Sequence, residues 1–175
     1  MYSTNGSILP NDETVQVWKK FKKVNMNFSI DDIDDRFHYI RWPLAWSKVK
    51  NNMEQIASLD VISNVQILCT INPMNIFYFD QLETWFDDFK NRHDKASVVG
   101  TTACYGTWGL DAIPENLRNK VIEKYGADHR IVKLLSTHAT IPGKWENLIA
   151  DMEKLDARRK LSYRETFSEA LSYCR

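Results

Sequence analysis

Residues 24–46, VNMNFSIDDIDDRFHYIRWPLAW, decide the fold. Val24, Met26, Phe28 and Ile30 alternate with Asn25, Asn27 and Ser29, the two-residue period of a strand with one face buried. Four aspartates follow (Asp31, Asp32, Asp34 and Asp35), then an arginine–aromatic run and a helix start marked by Pro43. Trp46, Val49, Met53 and Ile56 recur at helical spacing beyond it. A buried strand that ends in polar residues just ahead of a crossover is where α/β sheets place their chemistry.

The pattern extends in both directions. Upstream, Asn5-Gly6 marks a turn, and Pro10-Asn11-Asp12-Glu13 opens a helix with acids at its positive end. Its apolar face is Val15, Trp18, Phe21 and, loosely, Val24, with Lys19, Lys20, Lys22 and Lys23 as a solvated run toward its C-terminal end. Downstream, Val65 to Ile71 reads as a second strand closed by Asn72-Pro73. Leu82, Trp85, Phe86 and Phe89 stripe the next helix, and Ala96 to Ala103 is a weaker strand interrupted by Gly100. Helix and strand alternating in this way argue parallel strands joined by right-handed crossovers.

The remainder is helical: Pro114 to Tyr125 with Gly126 as its cap, Asp128 to Thr137, Gly143 to Arg159 and Ser162 to Cys174. Trp145, Leu148, Ile149, Met152 and Leu155 supply the third with a buried stripe, and Ser162 with Glu165 makes a capping-box pattern for the last. The expected organisation is an α/β region over 1–110 and an α-helical region over 111–175. Three parallel strands leave both edges of a small sheet exposed. The reading therefore expects a sheet-forming segment upstream or on another chain.

Composition excludes several classes. A chain of 175 residues with 43% hydrophobic and 12% aromatic side chains is not disordered and suits one ordinary domain. Lys plus Arg and Asp plus Glu balance at 23 each, so there is no basic footprint for nucleic acid. The apolar run Val65 to Ile71 is broken by Gln66 and far too short to span a membrane. No basic n-region and apolar h-region open the chain, and a cytoplasmic location is expected. Cys69, Cys104 and Cys174 form no CxxC, and His38, His93, His129 and His138 show no paired-ligand spacing, so local motifs build no metal site.

Each candidate site carries a plain alternative. The Asp31–Asp35 cluster could hold a divalent cation, and Asp32-Ile33-Asp34 reads as the DxD of a metal-dependent nucleotide-sugar transferase. The plainer reading of most of these acids is as solvated loop residues and helix caps, since the spacing is not that of a calcium loop. Arg36 and Arg41 could clamp a carboxylate or phosphate, or pair with the aspartates beside them. Asn72 and Asn75, just past the second strand, could bind a ligand hydroxyl or cap the helix that follows. No serine or cysteine has the context of an activated nucleophile.

Taken together these residues resemble the radical S-adenosylmethionine (SAM) enzymes, in the group whose barrel is followed by a SPASM or twitch-type region. Thr4-Asn5-Gly6 resembles the TNG that ends the third barrel strand, and Phe28-Ser29-Ile30-Asp31 the S-[LI]-D-G that ends the fourth. Asp35 to Arg41 is similar to the family's ERHDYIR stretch, and Thr70 to Tyr78 to its fifth strand with the following Asn, here Asn75. Ala112-Ile113-Pro114 with Leu117 to Lys120 resembles the late segment leading out of the barrel.

The resemblance implies a partial parallel (βα) barrel with Ser29 and Asp31 beside the SAM ribose and methionine. It places Asn75 near the ribose or adenine, and Arg41 as a brace for the carboxylate end. It also implies a [4Fe–4S] cluster held by CxxxCxxC, and a substrate that is plausibly a peptide. The sequence departs from the family in having Asp32 for the glycine of SxDG, and in lacking both CxxxCxxC and the glycine-rich second-strand motif. The expectation is a C-terminal half that contributes part of a SAM and substrate pocket. It is inactive alone and acts with a separately encoded N-terminal half. A non-catalytic complementation module and the DxD transferase are the alternatives.

Overall fold

The computed structural model describes residues 1–174. They form two compact units: Met1–Thr70 with Asp80–Thr102, and Ile71–Phe79 with Ala103 onward. The first is α/β. Its elements are β1 (Tyr2–Thr4), α1 (Asp12–Trp18), β2 (Val24–Ser29), α2 (Asp34–Ile40), α3 (Trp46–Ala57), β3 (Ile62–Ile71), α4 (Phe79–Arg92) and β4 (Ala96–Ala103). The sheet order is β1-β2-β3-β4 and the strands are parallel. Along the last pair, the Val65 N–H donates to the Lys95 carbonyl at 2.9 Å and the Cys104 N–H to the Ile71 carbonyl at 2.8 Å.

The strand expected at Val24 is present, and so are those through Val65–Ile71 and Ala96–Ala103. β1 adds a fourth strand, with Tyr2 paired to Met26 and Thr4 to Phe28. Three residues are too few for alternation to register, so only the TNG resemblance pointed there. Two expectations around helices change. The first helix stops at Trp18, so Phe21 is 63% exposed and the lysines lie in and after the turn that follows. Pro43 does not start a helix: it follows a cis peptide bond, and α3 begins at Trp46, after the separate helix α2.

One face of the sheet is packed against helices. Tyr2 and Met26 share that face, and Tyr2 meets Trp18 of α1 edge-on at 5.5 Å. Phe28, wholly buried, lies beside Val49 of α3, since a side chain on Gly6 would strike both. Gly6 sits at φ +73° in this gap, and Asn52 ties its carbonyl at 2.7 Å. Phe37, Trp46, Trp85, Phe86 and Phe89 continue the helix layer as one run of ring contacts. Each fully buried side chain of this size contributes roughly 1.5–3 kcal/mol.

The other face is polar. Asn25 stands level with Asn64, Asn27 with Gln66, and Ser29 with Leu68. The carboxamides are half-buried and Leu68 is 40% exposed. Sequential parallel strands with crossovers of one hand place all their connecting helices on the same side, which leaves this face without a helix of its own unit.

The second unit is helical: α5 (Glu115–Tyr125), α6 (Arg130–Ser136), α7 (Lys144–Arg159), α8 (Tyr163–Thr166) and α9 (Ser168–Ser172). Leu117, Val121, Ile131, Leu135, Leu148, Met152 and Phe167 are its core. Gly126 ends α5 at φ +77°, as a C-terminal glycine should. The Ser162 side chain accepts from the Glu165 N–H at 3.2 Å, but the helix it caps is broken at Phe167 into α8 and α9. The segment Ile71–Phe79 belongs here. The Phe77 carbonyl accepts from Lys124 Nζ at 2.8 Å and the Tyr125 hydroxyl at 3.0 Å, and the Tyr78 hydroxyl accepts from the Ala170 N–H at 3.0 Å.

Candidate functional site

The C-terminal end of β2 holds two carboxylate–guanidinium pairs in consecutive residues. Asp31 is 6% exposed. One of its oxygens accepts from the Thr70 N–H at 2.8 Å and the other from Arg41 Nε at 2.6 Å. A backbone donor and a charged donor fix the carboxylate from two sides, and the carboxylate in turn fixes the guanidinium. Arg41 is about a quarter exposed, and its two terminal amino groups have no hydrogen-bond partner among the described residues. Ser29, two residues earlier and on the polar face, likewise has no side-chain partner among them.

Asp32 points elsewhere. It is 1% exposed and takes both of its oxygens to Arg36 Nε, at 3.0 and 3.1 Å, while the Ile33 N–H donates to one of them. Arg36 is held at its far end by Gln81 of α4 at 2.6 Å. Burial pushes the Asp32 carboxyl up to about 7, against the pull of Arg36 and the Ile33 N–H toward lower values. Asp34 and Asp35 open α2 and are exposed, with Asp34 in the left-handed region at φ +51°. Neither serves as the N-cap, a position taken by Ile33.

The four aspartates therefore split. Two are spent on arginines and two face solvent at a helix start, so they do not converge on a cation. Among the described residues no group of three or more His, Cys, Asp or Glu is placed to hold a metal ion. The pairing read as the plain alternative for Arg36 and Arg41 is the one observed.

Asn75 belongs to the second unit. It is 1% exposed, and it and Asn72 lock the turn after β3 reciprocally. The Asn75 carbonyl oxygen accepts from the Asn72 N–H at 2.9 Å, and the Asn72 carbonyl oxygen accepts from the N–H groups of Met74 and Asn75 at 2.9 and 3.3 Å. Both residues hold their own backbone, the local use that Asn serves in tight turns.

Sequence reasoning missed three parts of this site. Thr70 acts through its N–H and Gln81 lies 45 residues from Arg36, so neither leaves a local trace. The carboxamide rows did leave one. Strands of a parallel sheet are usually apolar on both faces, and the polar half of VNMNFS marks the face opposite the helices of its own unit.

Comparison with protein-family models, with curated proteins and with solved structures returns no match for this chain.

Proposed function

We propose that the chain is part of a partial (βα) barrel that binds S-adenosylmethionine, and that the intact enzyme modifies its substrate by radical chemistry. Two features support a barrel over a doubly wound sheet. Strand order follows chain order without the reversal that makes a switch point, and one face is polar and free of its own helices. The observation that carries the ligand reading is the Thr70–Asp31–Arg41 brace. It holds a guanidinium at the C-terminal end of β2 with two amino groups left to donate, which suits the carboxylate of an amino-acid moiety. Ser29 adds a hydroxyl at the same strand end, suited to a ribose or amino group. Asp31 acts here as the brace of Arg41.

A [4Fe–4S] cluster supplies the electron that cleaves SAM in such enzymes. The cysteines of this chain do not fit it: Cys69 is buried, and no metal-binding group forms among the described residues. The chain by itself is therefore read as a binding part and not as a catalyst.

The test is ligand-observed NMR with the full chain and two probes, SAM and decarboxylated SAM. SAM should bind, and the decarboxylated analogue should bind about tenfold more weakly or worse, the loss of one charge-assisted pair. Arg41→Gln should erase the difference between the probes. Equal binding of both probes to the unaltered chain, or binding of neither, overturns the reading.

A further inference from the structure

β1 and β4 are the two edges of the sheet. Residues 1–11 and 96–110, which contain these strands and the loops after them, include no Asp, Glu, Lys or Arg, in a chain where such residues make up 26%. Soluble proteins commonly guard a sheet edge with charge, because its unpaired N–H and C=O groups template pairing with another chain. Neither edge is guarded in that way. Apolar side chains lie exposed at both: Tyr2 and Ile8 by β1, Val98 and Tyr105 by β4. A groove of about 390 Å³ adjoins β1, lined by Tyr2, Leu9, Trp18 and Met26 among others, with no charged residue in its wall.

Symmetry names an occupant. A two-fold rotation about an axis along the strands keeps strand direction. It sets β1 of each copy parallel to β4 of the other, in two identical contacts. Four sequential parallel strands taken twice give the strand number of a closed (βα) barrel. Uncharged edge meets uncharged edge, so no ion is stripped of water on either side. The carboxamide rows of both copies then face a common interior.

We propose that a second copy of this chain closes the sheet, β1 of one against β4 of the other. This rests on the barrel part of the reading above, a second copy closing what the four strands of one chain leave partial, and not on the ligand: failure to bind SAM leaves it standing, and a monomer that binds SAM overturns it alone.

Sedimentation velocity of the full chain over micromolar to submillimolar loading is the test, and a concentration-dependent dimer is expected. The paired substitution Val98→Lys and Thr102→Lys replaces two exposed residues of β4. It should weaken the dimer by about a hundredfold or more, as burying unpaired charge does, with the far-ultraviolet dichroism unchanged. Ile122→Lys, exposed on α5, should leave the dimer intact. Hydrogen exchange in the unaltered chain gives a readout independent of any variant: amides of residues 2–4 and 96–103 should gain protection as the concentration rises. A monomer throughout, a dimer indifferent to the paired substitution, or edge amides indifferent to concentration overturns the proposal.

Discussion

Asp31 and Asp32 are adjacent in the chain and opposite in character. Asp31 accepts one backbone and one guanidinium donor, and removing its charge by Asp31→Asn should cost roughly 1.5–3 kcal/mol, the range for hydrogen bonds to charged groups. Urea denaturation at pH 7 measures it, and a loss below a few tenths of that range would show that Arg41 holds its place by other means. Asp32 is buried with its carboxyl pushed up to about 7, above its ordinary 3.8. The folded chain therefore binds more protons than the unfolded chain between these values. This group's contribution to stability falls as pH rises through that window and levels off above it. Carbon-detected NMR of the Asp32 carboxyl should show a midpoint near neutrality; a midpoint below 5 would mean that the Arg36 pair outweighs burial. The cluster of acids was legible in the sequence, but its division was not. Which aspartate meets which arginine depends on the turn at Ile33–Asp34 and on Gln81, a partner supplied by α4.

At the scale of elements, α3 and α4 are clasped where both end. Glu54 on α3 accepts from Arg92 at 2.8 Å and is hydrogen-bonded to His93 just past α4. Burial pushes the Glu54 carboxyl up, but the His93 and Arg92 contacts more than offset it, leaving it below the usual 4.5. The clasp thus contributes stability above pH 4.5 that fades as pH falls through the lowered value. Thermal melts of Glu54→Gln should lose part of the acid dependence below 4.5 while matching its shape near neutrality. In the second unit, Tyr78→Phe removes the acceptor of a buried Ala170 N–H and should cost about 1–3 kcal/mol. Strand and helix positions in β2, α4 and α7 followed from periodicity, because each is one-sided, and β3 was legible as the apolar run Val65 to Ile71, although the strand begins earlier, at Ile62. β1 and the break between α8 and α9 did not, since neither spans enough residues to show a period.

For the whole molecule, the equal acid and base counts leave the chain near neutrality at pH 7, so solubility should pass through a minimum there and rise on either side. Turbidity across pH 5 to 9 reports it, and a flat profile would mean that charge is not what keeps the chain dispersed. The segment Ile71–Phe79 has a further consequence, in time. It leaves the ribosome between β3 and α4, yet its partners Lys124, Tyr125 and Ala170 are made later. Once Thr102 has been added, about 70 residues must follow before the last helix of this unit, ending at Ser172, is made, and at roughly 5–20 residues per second their synthesis takes on the order of 4–14 s. For that interval Ile76, Phe77, Tyr78 and Phe79 have none of the later-made residues that their unit supplies. A nascent chain paused at Glu123, which brings this segment clear of the ribosome before Lys124 is added, should therefore be bound by a holdase chaperone through it, and should be released once the C-terminal helices have emerged.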